Sequence, residues 1–167
     1  MIAHWRYLRT VLLHKWYVFV AGRMLGVPLW QLLIHDLSKF SAAEWGPYVR
    51  RFAGGRGGVM DKSADSAEWH MAWRHHWTRN AHHWEYWLPE PIALNQAEAQ
   101  PLPMPERYAR EMVADWCGAG KAYTGAWDVA SWYEQNAGRI ILHPDTRALV
   151  EILVQDVGRV LAQKGSR

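Results

Sequence analysis

Four separated groups of residues carry side chains able to grip a metal ion. The most telling is Leu33-Ile-His-Asp-Leu-Ser-Lys-Phe40. His35 and Asp36 are adjacent at the end of an apolar stretch, and an imidazole nitrogen beside a carboxylate oxygen suits Zn, Fe, Mn, Co or Mg, depending on the remaining ligands. Lys39 follows one helical turn after Asp36, where it could hold that carboxylate or meet a phosphate. His14 stands among Leu12, Leu13, Trp16 and Tyr17, an apolar setting in which each ring nitrogen needs a partner. Arg74-His-His-Trp-Thr-Arg-Asn-Ala-His-His-Trp-Glu-Tyr86 places four histidines, His75, His76, His82 and His83, around a break at Asn80. Asp115 lies in the apolar run Met112–Trp116, one turn after Glu111. A buried carboxylate without a cation or hydrogen bonds is costly, and a metal removes that cost.

The elements that must position these groups read as helices joined by loops, with no sustained strand-like alternation. Apolar residues at Leu8, Val11, Leu12, Val18, Phe19 and Met24 predict a first helix over residues 3–25. Gly26 and Pro28 punctuate it, and a second helix is expected over about 28–37. Ser41-Ala-Ala-Glu44 has the pattern of a capping box and opens a third helix through about Phe52. Ala53-Gly-Gly-Arg-Gly-Gly58 reads as a flexible linker or a lid; it lacks the Gly-Lys-Ser/Thr ending of a nucleotide-binding loop. A fourth helix is expected over about 66–78 and a short turn over 82–87. An irregular stretch with four prolines follows over 88–104. A fifth helix is expected over about 105–118, a sixth near 128–137, and a last one from Pro144 to about Lys164. The expectation is an all-α, single-domain bundle of six to seven helices spanning 1–167.

Composition limits the function. The chain has 167 residues, 50% hydrophobic and 21% charged, a globular balance. Its net charge of +3 suits an anionic substrate but gives no strong nucleic-acid signal. The single cysteine, Cys117, excludes an internal disulfide and cysteine-based zinc sites, and fits a reducing compartment. No run approaches the ~18 apolar residues of a membrane span. A cytoplasmic protein without a membrane partner is the expectation. Twelve tryptophans point to a core of large rings, and a tryptophan-rich surface could also hide a homodimer interface.

In chain order, His14, His35–Asp36 and Asp115 resemble the H…HD…D signature of the HD-domain superfamily of metal-dependent hydrolases. His35-Asp-Leu-Ser-Lys39 looks like the HD-[IL]-G-K box of its HD-GYP phosphodiesterase branch and of several bimetallic members, with Ser38 in place of glycine. The resemblance covers roughly residues 10–120. The GYP portion is absent, which disfavours cyclic-di-GMP hydrolysis. The HDLSKF, HH…NxHHWEYW and MPERYxxEMxxDW segments also resemble a small bacterial and phage family of HD-like proteins. The resemblance implies an all-α bundle holding one or two divalent ions (Mn, Co, Ni, Fe or Zn, with Mg also accommodated). The ligands would be His14, His35, Asp36 and Asp115, joined by His76 and His82 or His83 at a second ion.

The expected reaction is hydrolysis of a small phosphate ester, such as a nucleotide or related metabolite. Lys39, Arg50, Arg51 or Arg79 would neutralise phosphate charge. Glu85 or Glu111 would serve as general acid or base. Trp84 or Trp77 could stack on a base, against the simpler role of core packing. The alternatives are a di-iron oxygenase similar to myo-inositol oxygenase, and a non-catalytic metal-binding or interaction protein.

Overall fold

The first helix, α1 (Ile2–Met24), buries Tyr7, Val11, His14, Val18 and Ala21 along one stripe. A positive φ at Gly26 and Pro28 at the N-cap turn the chain into α2 (Leu29–Ile34). In this computed structural model, which describes residues 1–52, 66–89 and 100–165, α2 stops three residues earlier than its apolar run suggests. The reason is local. His35 is extended and Asp36 is left-handed at φ 56°, a conformation that a short polar side chain tolerates better than most. A 3₁₀ turn, Leu37–Phe40, then leads into α3 (Ala42–Arg51).

The helix starts at 41–42 as expected, but the capping box does not form. Ser41 makes no side-chain cap, and Glu44 is buried elsewhere. Helix α4 (Ala67–Trp77) does have a side-chain cap: the Trp69 amide donates to Ser66 Oγ at 3.2 Å. The short turn appears as a 3₁₀ segment at Trp84–Trp87. Helix α5 runs Glu106–Thr124, six residues beyond the expected stop at Gly118. Gly118 is glycine for a packing reason: a Cβ there would lie 2.7 Å from the backbone nitrogen of Val18, where α1 and α5 touch. The left-handed Gly125 ends α5 instead. Helices α6 (Val129–Asn136) and α7 (Pro144–Gly165) complete the bundle. The expected loop or lid at 53–58 and most of the proline-rich stretch lie outside the described residues.

Seven α-helices and no strand are found among the described residues. The larger core joins Val18, Ala21, Leu32, Met112, Val113, Val150 and Val154 from α1, α2, α5 and α7. A smaller one joins Tyr7, Val11, Tyr48, Val49 and Ala72 from α1, α3 and α4. His14 sits on α1 between Val11 and Val18, so it lies between the two apolar clusters. No helix among the described residues is long and apolar enough to cross a membrane.

Candidate metal centre

The break between α2 and the 3₁₀ turn throws His35 and Asp36 into the same space, with His35 Nε2 at 3.4 Å from Asp36 Oδ2. His14 comes from α1 and Asp115 from α5. His14 Nε2 is 3.0 Å from Asp115 Oδ1 and 3.3 Å from Asp36 Oδ2. His35 Nε2 is 3.4 Å from Asp115 Oδ1. Ligands about 2.1 Å from a common ion stand about 3.0–3.4 Å apart at neighbouring positions. The four sequence-expected ligands therefore meet at the spacing of one coordination sphere.

A second set faces the other oxygen of Asp36. His76 Nε2 and His82 Nε2 lie 3.4 and 3.5 Å from Asp36 Oδ1, and His83 Nε2 is 2.9 Å from His76 Nε2. Both groups, His14–His35–Asp36–Asp115 and Asp36–His76–His82–His83, keep their donor atoms within 4.8 Å of one another and could hold a metal ion. Asp36 belongs to both, one oxygen toward each.

The surrounding shell fixes the rings. Glu111 accepts from His35 Nδ1 at 2.9 Å and from Gln31 Nε2, and its Oε1 is 3.4 Å from His82 Nδ1. His35, His82 and Glu111 form a third group that could hold a metal ion, and in it Glu111 faces the Nδ1 atoms of both rings, opposite the Nε2 atoms near Asp36. Glu44 has the same role on the other side, its oxygens accepting from His75 Nδ1 at 2.7 Å and His76 Nδ1 at 2.9 Å. A carboxylate on Nδ1 fixes the tautomer that leaves the Nε2 lone pair free for a metal. Ser38, where the resembled box has glycine, approaches His76 Nδ1 at 3.1 Å and accepts from Asn80 at 2.9 Å. Lys15 Nζ donates to the His35 carbonyl.

Carboxylates dominate the buried charge of the cluster. Asp36, Glu44 and Glu111 are buried and Asp115 nearly so, against one buried ammonium, Lys39. Burial alone would raise the Asp36 carboxyl, but His35, Lys39, His76 and His14 hold it well below its ordinary range. Asp115 is likewise held low, by His14 and His35. Burial works against charge on His35, yet Asp36, Asp115 and Glu111 raise its pKa to about 10. Burial lowers His76, and burial with the neighbouring His82 and His76 lowers His83 strongly. Burial, reinforced by Asp115, pushes Glu85 up to about 7. Glu85 stands 3.9 Å from His83 Nδ1.

The remaining expected residues divide. Lys39 lies 2.5 Å from Asp36 Oδ2, so it holds that carboxylate rather than reaching out to substrate. Arg79 lines a cleft of about 350 Å³ whose wall includes His35, His82 and Glu111. Arg50 pairs with Glu68 on the surface instead of turning to the centre. The guanidinium of the buried Arg51 lies over Trp69 at 4.9 Å, tying α3 to α4. Trp84 packs against the larger core, the simpler of its two roles. Glu44 is a site residue that the capping-box reading concealed. The available signal was its place on the inward face of α3, in register with Tyr48 and Arg51.

A family model matches residues 3–156 of this chain. The chain belongs to the family of unknown function DUF5662. No curated protein and no solved structure matches it. For this DUF5662 member the chemistry must be argued from the centre itself.

Proposed function

We propose that this protein is a dinuclear metal-dependent phosphohydrolase acting on a small phosphate ester, with a nucleotide or sugar phosphate as the substrate class. The observation that carries the proposal is Asp36, whose Oδ2 faces His14 and His35 beside Asp115 while its Oδ1 faces the separate imidazoles of His76 and His82. The residues fit the ions. His35 Nε2, His82 Nε2 and Asp36 Oδ1 are buried without a hydrogen-bond partner, and all three are donor atoms of the two groups. A centre this short of hydrogen bonds is costly unless a cation completes it. The likeness to the H…HD…D signature supports the same reading.

Five imidazoles among the seven ligands favour Mn, Fe, Co, Ni or Zn over Mg, which prefers oxygen. Such a pair of ions supplies the Lewis acidity that activates water and neutralises phosphoryl charge. The chain's own residues do the rest. Lys39 keeps Asp36 ionised. Glu111 and Glu44 hold the ligand rings in register. Arg79, on the cleft wall, is placed to take a phosphate oxygen. Glu85 stands 3.9 Å from His83, one of the two least buried ligands, and can give a proton to the leaving oxygen.

The test is phosphate release from nucleotides and sugar phosphates by protein loaded with each of these metals. Turnover that needs the metal and is lost in Asp36→Asn is the expected result. The nitrogen-rich donor set also supports a second reading, a di-iron oxygenase. Two irons with oxygen uptake, and no phosphate released with any metal, would replace the first reading with the second.

A further inference from the structure

The outer face of α1 has no partner among the described residues. Ile2, Trp5, Leu12 and Trp16 are each more than half exposed, with Trp5 at 70% and Trp16 at 59%. At 100° per residue these positions fall on one side, opposite the buried stripe of Tyr7, Val11, His14 and Val18. They form a ridge about 21 Å long at a rise of 1.5 Å per residue. Large exposed apolar side chains gathered on one helix face mark a contact site.

The charges around the ridge select the occupant. Arg9 and Arg23 lie on the same side as the tryptophans, and Arg6 flanks them; all three are exposed. None has a carboxylate partner among the described residues. Lys15, the remaining cation of α1, is turned inward onto the His35 carbonyl. Residues 1–35 contain no aspartate or glutamate; Asp36 is the first, and it is buried in the metal centre. The ridge is therefore apolar and aromatic, with Arg9 near its middle, and residues 1–35 give it positive charge alone. A second copy docked by a two-fold axis through the middle of this face would bring Arg9 against its own counterpart with no acid to offset it. Tryptophan and leucine flanked by arginine fit instead the boundary between headgroups and acyl chains of an anionic bilayer.

We propose that α1 docks this protein peripherally on an anionic lipid surface through Ile2, Trp5, Leu12 and Trp16, with Arg6, Arg9 and Arg23 meeting the headgroups. A helix lying in the interfacial plane needs no spanning run, so hydropathy criteria for a membrane span do not register it. The inference is independent of the reaction at the metal centre.

The experiment is co-sedimentation of the full chain with phosphatidylcholine vesicles containing 30% phosphatidylglycerol, and with phosphatidylcholine alone. The expected result is sedimentation with the anionic vesicles only, weakened by 0.5 M NaCl. Arg9→Gln should reduce partitioning about fivefold. Trp5→Ser combined with Trp16→Ser should abolish it while circular dichroism stays unchanged. Failure to sediment, or sedimentation unaffected by the double substitution, overturns the proposal. So does a concentration-dependent dimer that the same double substitution dissolves, which would give this face to a second copy. Binding to RNA that exceeds binding to the vesicles overturns it as well.

Discussion

Glu44→Gln isolates one half of the centre. Glu44 is fully buried, and its two oxygens take Nδ1 protons from His75 and His76. The amide has nearly the same volume but only one accepting oxygen and no charge. His75 is partly exposed and can turn to water, so the remaining oxygen is left for His76. The His76 ring keeps its tautomer but loses the basicity that a carboxylate lends it. Removing such an outer carboxylate typically weakens metal binding 10- to 100-fold, or about 1.4–2.8 kcal/mol. The loss should fall on the ion proposed at Asp36, His76, His82 and His83. The ion proposed at His14, His35 and Asp115 has Glu111 rather than Glu44 behind His35 and should be affected by well under threefold. Chelator competition with Mn or Co, fitted to two sites, separates the affinities. Equal weakening of both sites, or no weakening of either, would refute the assignment of Glu44 to the His76 side of the centre alone.

Binding at the two ions should also differ with pH. The folded-state pKa of His35, about 10, lies above its ordinary value, so its stabilising charge in the metal-free protein is complete below about pH 6.5 and fades as pH rises through 10. A metal must displace that proton. Affinity at the His14–His35–Asp115 ion should rise about tenfold per unit between pH 7 and 9. The lowered His76 and His83 give up no proton there, so their ion should show a weaker dependence. Calorimetry in buffers of different ionisation enthalpy measures the protons released, and none at either ion would contradict this. Gly118→Ala forces α1 and α5 apart at Val18. It should cost about 3 kcal/mol and lower the melting temperature by roughly 6–12 °C, with loss of bound metal. An unchanged melting curve would show that the helices can yield. Arg50→Ala removes a surface pair with Glu68 and should leave metal content and turnover unchanged. A large fall in turnover would return Arg50 to the site.

The ligands were legible because few residue types bind metal and they sit where a helical pattern calls for apolar side chains. His14 interrupts such a stripe on α1, and Asp115 interrupts one on α5. The sequence could not say which way a charge points. Arg50 and Arg51 are neighbours with the same chemistry, yet one faces solvent and the other lies over Trp69. Nor could it say which of two jobs a residue performs. Glu44 has the spacing of a cap, but the imidazoles of His75 and the buried His76 on α4 offer it stronger partners than a backbone amide. Gly118 suggests a helix stop because glycine often is one, whereas here it admits a neighbouring backbone. The convergence of His76, His82 and His83 on Asp36 depends on the turn after α4, which no periodicity encodes.

The most direct measurement is elemental analysis of protein purified without a metal-affinity tag, alongside Asp36→Asn. Asparagine tolerates the left-handed backbone at this position, so the fold should persist. Two transition-metal ions per chain in the native protein, and fewer than one in the variant, is the expected result. A single ion or none in the native protein, or two retained without the Asp36 carboxylate, would contradict a centre built around that bridge.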